Sequence, residues 1–310
     1  MTDAAHRTVP AGPAPGGSLA WARRRAATAR FWQAYRADRA GLAGLALLLL
    51  FVGAAVLAPV LTGGPQAVSI IDAPGTPLQP PGAGYPLGTD GYGRSELALL
   101  LWGARISLTV GFLATFLSMA IGAVLGILAG HFGGWPATVL MRITDWFLVL
   151  PTLVLAVALA SVLSPGTATI VLAIGVTTWP RTARLVRAQT LAVEGRPYIE
   201  RSRALGGGHR HVMARHVLPN VMPLVLAQTT LTVANAILTE STLAFLGLGD
   251  PGTVSWGGLL QDARQAGAVS AGDWWTLLPP GLAIAAVALS FTLCGRAMES
   301  ALNPRLRGGR

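Results

Sequence analysis

Residues 194–220 read EGRPYIERSRALGGGHRHVMARHVLPN and lie between two apolar segments, each near the ~20 residues that cross a bilayer. The stretch is polar and rich in arginine, and contact with lipid gives no reason for a polar insertion of this length and order. It therefore predicts a structured loop at a membrane surface that a soluble partner binds. A solvated basic loop that only fixes topology is the alternative that charge alone leaves open.

The composition indicates a membrane protein of the all-α, polytopic class. Of the 310 residues, 52% are hydrophobic and 12% are charged, against about 25% charged in an average soluble domain. Helices satisfy their own backbone hydrogen bonds where water is absent. The Trp179-Pro180-Arg181 run interrupts the fourth of six predicted helical spans. These spans cover residues 41–61, 107–130, 138–162, 168–188, 220–243 and 277–297.

The distribution of arginine predicts the orientation in the membrane. Twenty of the 23 arginines fall on one side of these spans and three on the other, and the basic side is the cytoplasmic side. The net charge of +10 therefore reflects topology, and we expect no nucleic-acid partner. The resulting layout is a cytoplasmic tail at 1–40, an extracytoplasmic connection at 62–103, a transmembrane core at 104–300 and a cytoplasmic end at 301–310.

Within the 194–220 loop the residues predict a short helix and a turn. Pro197 suits the first position of a helix, and Tyr198, Ser202 and Leu205 then recur on one helical face. The run from Gly206 to Gly208 ends the helix, because glycine adopts the left-handed conformation of a C-cap without strain. A second amphipathic turn over about 209–218 returns the chain to the membrane. A short surface helix of this kind suits a groove on a partner.

The order of motifs in this loop resembles a known family. Glu200-Arg201-Ser202, Ala204-Leu205-Gly206 and the Leu218-Pro219-Asn220 exit are similar to the EAA loop of bacterial ABC importer permeases, which reads E-A-A-x-A-L-G. The resemblance extends over about residues 85–307, to the C-type permeases of the dipeptide/oligopeptide/nickel importer family. Other segments that carry it are Pro86-Leu87-Gly88-Thr89-Asp90, Gly103-Ala104-Arg105-Ile106-Ser107-Leu108, Gly130-His131-Phe132-Gly133-Gly134-Trp135, Phe245-Leu246-Gly247-Leu248-Gly249 and Asn303-Pro304-Arg305-Leu306-Arg307.

The resemblance implies a type I ABC importer transmembrane domain whose cytoplasmic coupling helix contacts an ATPase. Glu200 would contact the ATPase or nearby backbone, and Gly206 would permit the sharp turn. Arg201 and Ser202 replace the two alanines of the family pattern, so a direct contact by Arg201 stays open. The residues that the resemblance assigns to ATPase coupling are Tyr198, Glu200, Arg201, Ser202, Ala204, Leu205 and Gly206.

The resemblance also implies the partners and the cargo. A second, B-type permease subunit would complete the pore, two ATPase subunits would bind ATP and Mg, and an extracytoplasmic solute-binding protein would deliver di- or oligopeptides. Nickel or another small solute is the alternative cargo. The chain would lie in the inner membrane of a bacterium, surrounded by lipid, with both termini in the cytoplasm.

The residues exclude an ATPase with the common phosphate loop, and they argue against a secondary transporter and an intramembrane enzyme. The chain contains no lysine, so it has no G-x-x-x-x-G-K-[ST] phosphate loop. An ion-coupled secondary transporter would be expected to show internal repeats and charges near the midplane, and neither is evident. An intramembrane enzyme would need a motif such as H-E-x-x-H, which is absent.

Ionisable residues in predicted spans are candidates for function. Glu240, followed by Ser241, could face the translocation pathway or lie at headgroup depth. Asp145 could pair with Arg142, one turn earlier on the same helix. Glycines at 122, 126 and 130 form G-x-x-x-G pairs that suit close helix packing.

Two further residue types suggest no separate chemistry. His209, His211 and His216 are expected to be solvated loop residues, and no metal site is predicted. Cys294, the sole cysteine, is expected to be a small buried residue.

Overall fold

The computed structural model describes residues 17–302, which form helices joined mostly by short connections, with one long connection over residues 62–95. The described residues contain no β-strand beyond two isolated bridges, Gly82–Tyr85 and Thr89–Ser95. The predicted ends at 1–40 and 301–310 lie partly outside the described residues, as does the Asn303–Arg307 motif. Helix α1 (Gly17–Arg36) occupies part of the predicted N-terminal tail.

Helix α2 (Arg39–Leu61) begins two residues before the predicted first span. The Asp38 carboxylate caps its N-terminus, because Oδ1 accepts hydrogen bonds from the backbone N–H groups of Ala40 at 3.0 Å and Gly41 at 3.1 Å. The apolar sequence then continues without a break to Leu61. A turn-rich connection with one short 3₁₀ segment (Pro65–Val68) follows.

Helix α3 (Glu96–His131) begins eleven residues before the predicted start at 107, so the connection ends at residue 95 instead of 103. Arg105 does not delay the helix, because its guanidinium lies over the Trp102 ring, 4.9 Å from the ring centroid, on an exposed side of α3. With 36 residues, α3 is about 54 Å long at 1.5 Å per residue. It is the longest helix among residues 17–302.

The predicted third span, 138–162, is two helices instead of one. Helices α4 (Gly134–Val149) and α5 (Thr152–Val162) meet at an angle of 90°. Leu150 between them is extended, with ψ 135°, because the residue before a proline avoids the helical conformation. The prediction of a single span over 138–162 is therefore wrong, because the helix breaks at Pro151.

Helix α6 (Thr167–Glu194) runs without interruption through Pro180. The sequence predicted an interruption here and a span that ended at 188. Trp179 and Pro180 are buried, and α3 packs directly against this turn of α6, since the carbonyl of Trp179 lies 2.9 Å from where a Cβ on Gly122 would be. Tertiary packing therefore keeps α6 helical across the proline.

The remaining helices follow in chain order. A widened, π-helical turn (Met213–Val217) leads into α9, and a second one (Ala244–Leu248) follows it. The helices are α7 (Pro197–Ala204), α8 (His209–Val212), α9 (Leu218–Leu243), α10 (Trp256–Gln265), α11 (Ala268–Ala271) and α12 (Trp274–Leu302).

The predicted count of six spans differs from what length and apolarity give. In residues 17–302, four helical segments are long and apolar enough to cross a membrane, and the bent α4–α5 pair makes a fifth candidate. The four are Arg39–Leu61, Glu96–His131, His209–Leu248 and Trp274–Ala301. Helix α6 is 28 residues long, but arginines at 181, 184 and 187 dilute its apolar character.

Helix α3 is the centre of the packing. Where it crosses α6, a Cβ on Gly126 would lie 2.6 Å from the carbonyl of Ala183, and one on Gly130 would lie 2.6 Å from Cβ of Thr190. The predicted close packing at these glycines is confirmed, and α6 is the partner helix. Such contacts supply the van der Waals attraction that holds helices together in lipid. Buried residues of the main apolar cluster include Leu99, Leu108, Ile237, Trp256, Val287 and Phe291.

Candidate coupling site and polar cavity

The predicted helix and turn of the 194–220 loop form as α7 and a glycine turn. Gly206 has φ +86°, a conformation that costs other L-residues energy. Its N–H donates to the carbonyl of Arg203 at 3.0 Å, and the N–H of Gly207 donates to the carbonyl of Ser202 at 2.8 Å. These two bonds are those of a Schellman motif. They fix the direction in which the chain leaves α7.

The buried side chain of Ile199 anchors α7 to the neighbouring helices. Ile199 is 0% exposed and packs with valines from α6, α8 and α9. The spacing of Tyr198, Ser202 and Leu205 predicted one face of α7, but it did not identify Ile199 as the buried anchor. The signal was available, because Ile199 is the sole β-branched apolar residue of α7. The cluster that receives it contains Met119, Val186, Val193, Val212, Val217, Val221 and Val225.

The other sides of α7 face away from the protein. Leu205, just after α7, is 89% exposed, although it is a large apolar residue. Ser202 is partly buried under the glycine turn. The exposed predicted coupling residues are Tyr198, Glu200, Arg201, Ala204, Leu205 and Gly206.

A partly buried ionic network that the sequence did not predict ties α7 to α3 and α6. Nδ1 of His131, at the end of α3, lies 2.5 Å from Oε1 of Glu194, at the end of α6. Oε2 of Glu194 accepts from Nη2 of Arg203 on α7 at 2.5 Å. Nε2 of His131 lies 2.9 Å from Nδ1 of His209. His209 is exposed, as predicted for a loop histidine, but it also contacts His131, which the sequence did not predict.

The exit from the loop is also ordered. The ring of Tyr198 on α7 lies 5.8 Å from that of His216, centroid to centroid, and His216 in turn contacts His211 at 5.6 Å. Nδ2 of Asn220 donates to the carbonyl of His216 at 2.7 Å. These contacts join α7 to the start of α9.

Within residues 17–302, no group of three or more His, Cys, Asp or Glu side chains could hold a metal ion.

Asp145 forms an ion pair, as predicted, but with a different arginine. Asp145 on α4 accepts from Nη2 of Arg184 on α6 at 2.6 Å, so the prediction of a pair with Arg142 is wrong. Both side chains are about half exposed, and such a pair contributes little stability by itself. Cys294 is buried, as expected.

Glu240 and Ser241 lie in the interior, near the opposite end of α9 from the loop. Glu240 is 1% exposed, and its Oε2 accepts from the hydroxyls of Ser107 at 3.1 Å and Ser241 at 3.2 Å. Ser107 also accepts from the backbone N–H of Trp256 at 3.2 Å. The carboxyl therefore joins α3, α9 and the start of α10.

A cavity of about 1030 Å³ opens at the same end of the molecule. We call it the polar cavity. It is bordered by the connection after α2, the first turns of α3 and the segment from Ala244 to Gln265. Because α3 begins near the polar cavity and ends at His131, the polar cavity and α7 lie at opposite ends of that helix. The charged residues on its wall are Arg94, Arg105, Asp250 and Asp262.

Of these four charges, Arg94 forms a buried ion pair with Asp90 and a second, more exposed pair with Asp262. Arg94 donates from Nε to Oδ2 of Asp90 at 2.7 Å and from Nη2 to Oδ2 of Asp262 at 3.4 Å. It also donates to the carbonyl of Val68 at 3.3 Å. Burial raises the pKa of Asp262, and the Arg94 charge partly opposes that rise. Arg94 thus links the connection after α2 to α10.

Asp250 performs a capping role across the fold. Its Oδ2 accepts from the hydroxyl of Thr167 at 2.8 Å and from the backbone N–H of Thr167 at 3.1 Å, at the first residue of α6. Oδ1 accepts from the N–H of Gly252 at 3.0 Å. Hydrogen bonds from Thr167 hold the pKa of Asp250 below its ordinary value, against a smaller effect of burial. A negative charge at the N-terminus of α6 also interacts favourably with the helix dipole.

With this geometry in place, comparison with known proteins gives the family. Residues 122–308 match the family described as binding-protein-dependent transport system inner membrane component. Residues 27–81 match the N-terminal TM domain of oligopeptide transport permease C. The chain belongs to the binding-protein-dependent transport permeases of the C type.

Named relatives are similar along most of their length. The di/tripeptide transport system permease protein DppC of Pseudomonas aeruginosa is 37% identical over 281 residues, which cover 89% of this chain and 92% of that protein. The dipeptide transport system permease protein DppC of Bacillus subtilis is 35% identical, covering 89% and 85%. The glutathione transport system permease protein GsiD of Pectobacterium atrosepticum is 34% identical, covering 73% and 75%.

The fold is also found among solved structures. A chain of the MetNI methionine ABC transporter, in an inward-facing conformation, aligns with a TM-score of 0.52 and 20% identity. The alignment covers 66% of this chain and 96% of that chain. The expectation of a type I ABC importer permease fold is confirmed.

Proposed function

We propose that this chain is one of two permease subunits of an ATP-driven importer that carries di- or oligopeptides. The observation that best supports this function is the construction of α7. Ile199 anchors it, the Gly206 turn orients it, and its exposed residues offer Tyr198, Glu200 and Leu205 to another protein. Peptide cargo is supported by the named relatives, which transport dipeptides, tripeptides or glutathione.

The energy comes from partner subunits. Two ATPase subunits bind ATP and Mg, and closure of the pair pushes on α7 through Tyr198, Glu200, Ser202, Ala204, Leu205 and Gly206, with Arg201 at the edge of the contact. The absence of lysine from the chain, and hence of a phosphate-loop lysine, supports this division of work. Rigid-body movement of packed helices then alternates access between the two faces.

The polar cavity is proposed as the extracytoplasmic entrance. In this arrangement α7 faces the cytoplasm, both termini lie on the same side as α7, and the protein resides in a bacterial inner membrane. The excess of arginine on the α7 side supports this orientation. A solute-binding protein delivers the peptide, and a second permease subunit of the B type completes the pathway. Glu240 and Ser241 lie beneath the entrance, where Glu240 joins α3, α9 and α10.

Uptake of a labelled tripeptide tests the proposal. Cells that contain the complete system are compared with cells that lack this chain or carry Glu200→Arg, which reverses the charge of an exposed α7 residue. We expect uptake to be lost without the chain, to fall at least tenfold in the variant at unchanged membrane level, and to follow cellular ATP. Uptake abolished by a proton ionophore at constant ATP would instead indicate a secondary transporter. Accumulation of nickel without any peptide uptake would contradict the peptide cargo.

A further inference from the structure

The polar cavity contains one cation whose charge no carboxylate neutralises in residues 17–302. Arg94 is bound by Asp90 and Asp262. Arg105 is exposed at the cavity wall and makes no ion pair or hydrogen bond with a residue of the described range. An unpaired guanidinium at the wall of a cavity favours the binding of an anion.

The Arg105 guanidinium is held on a rigid platform. Its central carbon lies 4.9 Å from the centroid of the Trp102 ring, within the range of a cation–π contact. The ring itself is fixed, because Nε1 of Trp102 donates to the hydroxyl of Thr62 at 2.9 Å, and that hydroxyl donates to the carbonyl of Ala58 at 2.8 Å. The N–H groups of Arg105 stay free, in the planar fork that matches a carboxylate.

The carboxylates of the wall do not compensate Arg105. Asp250 is committed to Thr167 and Gly252, and Asp262 bonds to Arg94. A cavity of about 1030 Å³ lies at the upper end of the ordinary range for small-molecule sites. It has room for a short peptide, whose C-terminus is a carboxylate.

We infer that Arg105, supported by the Trp102 ring, binds the C-terminal carboxylate of the peptide when it enters the polar cavity. This inference rests on the proposed function and assigns a recognition role to one residue of the entrance. It makes the permease itself selective for peptides with a free C-terminus, in addition to any selection by the solute-binding protein. Loss of the fork lowers the affinity for the acid and leaves a C-terminal amide unaffected.

The test compares a tripeptide with its C-terminal amide in proteoliposomes that contain the complete transporter. The solute-binding protein is saturated with each peptide in turn, so its own preference is the same for every permease variant. We expect Arg105→Gln to lower uptake of the acid about tenfold relative to the amide, because a charge-assisted bidentate contact is lost. Arg105→Lys keeps the charge but not the planar fork, so its ratio of acid to amide uptake should lie between those of wild type and Arg105→Gln.

Arg264→Gln is the matched control. Arg264 is also exposed, lies 5.3 Å from the centroid of the Phe245 ring, and is not part of the cavity wall. It should leave the ratio of acid to amide uptake unchanged. Direct binding of the labelled acid to the complete transporter in nanodiscs, without the solute-binding protein, gives a second readout and should weaken about tenfold in Arg105→Gln alone.

The outcomes separate the inference from the proposed function. If wild-type transporter carries neither peptide, the proposed function fails, whatever the variants do. If wild type carries peptide and Arg105→Gln lowers acid and amide equally, or leaves binding in nanodiscs unchanged, Arg105 does not bind the carboxylate. An equal loss would indicate contact of Arg105 with the solute-binding protein or the second permease subunit.

Discussion

Nδ1 of His131 lies 2.5 Å from Oε1 of Glu194 and so joins the loop-side ends of α3 and α6. The second oxygen of the same carboxylate accepts from Arg203 on α7. A single side chain, 63 residues along the chain from His131, thus connects three helices. If α7 moves during transport, as the proposed function requires, Glu194 connects that movement to α3 and α6, which pack extensively against each other.

Glu194→Gln should weaken this connection without changing the volume of the side chain. Hydrogen bonds to charged groups contribute about 1.5–3 kcal/mol each, so we expect α7 to detach more often. Amide hydrogen exchange across residues 197–204 should accelerate about tenfold, and peptide uptake should fall while ATP hydrolysis continues. Glu299→Gln, at an exposed position on α12, is the control. Unchanged exchange in Glu194→Gln would show that the network does not hold α7.

Gly206→Ala should disturb the direction in which the chain leaves α7. A side chain at φ +86° costs about 1 kcal/mol or more, and nothing lies within 4 Å of the added Cβ, so backbone strain is the whole effect. We expect uptake to fall about fivefold at unchanged membrane level. Gly208→Ala is the matched control, since Gly208 has φ −72° and the same open surroundings. Equal uptake by both variants would exclude a role for the turn geometry.

Gly126→Ala should loosen the contact between α3 and α6. The added Cβ would lie 2.6 Å from the carbonyl of Ala183 and 2.7 Å from Cβ of Val186, and overpacking of this kind costs about 1–3 kcal/mol. Thermal unfolding in detergent should begin several degrees lower. Gly53→Ala adds the same methyl group to α2, where nothing lies within 4 Å, and should not destabilise the protein. If both variants unfold alike, close approach at Gly126 is not what stabilises the pair.

Asp250 should make stability depend on pH in the acid range. Because Thr167 lowers the folded-state pKa of Asp250, the ionised carboxylate stabilises the fold above the ordinary pKa, and this contribution is lost as the pH falls through the lowered value. Asp250→Asn should therefore unfold a few degrees below wild type at pH 7, and the difference should shrink below about pH 4. Asp72→Asn, at an exposed position, should match wild type throughout. A difference that grows on acidification would contradict the capping role.

The helix bounds that depend on neighbouring residues were predicted well from the sequence. The apolar runs predicted α2, α9 and α12 to within a few residues, and Pro197 and the glycines after residue 205 predicted both ends of α7. Proline as a helix breaker was misassigned. Pro180 stays helical because it is buried against α3, whereas Pro151 is exposed and follows an extended Leu150. The sequence cannot distinguish the two prolines without the packing.

The candidate site was predicted in the same uneven way. The exposed residues of α7 follow from a short motif, but the network around Glu194 depends on residues from separate helices. His131 and His209 are 78 residues apart, and no spacing rule brings them together. Asp145 shows the same limit, because its partner Arg184 lies on another helix, while the nearer Arg142 was the local expectation.

Site-specific cross-linking tests the central claim, that α7 receives the work of a separate ATPase. Cys294 is the sole cysteine and is buried, so a Cys294→Ser background permits single labels. Leu205→Cys places a thiol at the exposed end of α7, and Ile71→Cys places one at a 95% exposed position in the connection after α2. The account predicts that Leu205→Cys, in intact cells, forms a cross-link to the ATPase subunit that changes with ATP, and that Ile71→Cys does not. Peptide uptake without any cross-link from Leu205→Cys, or equal cross-linking from both positions, would contradict it.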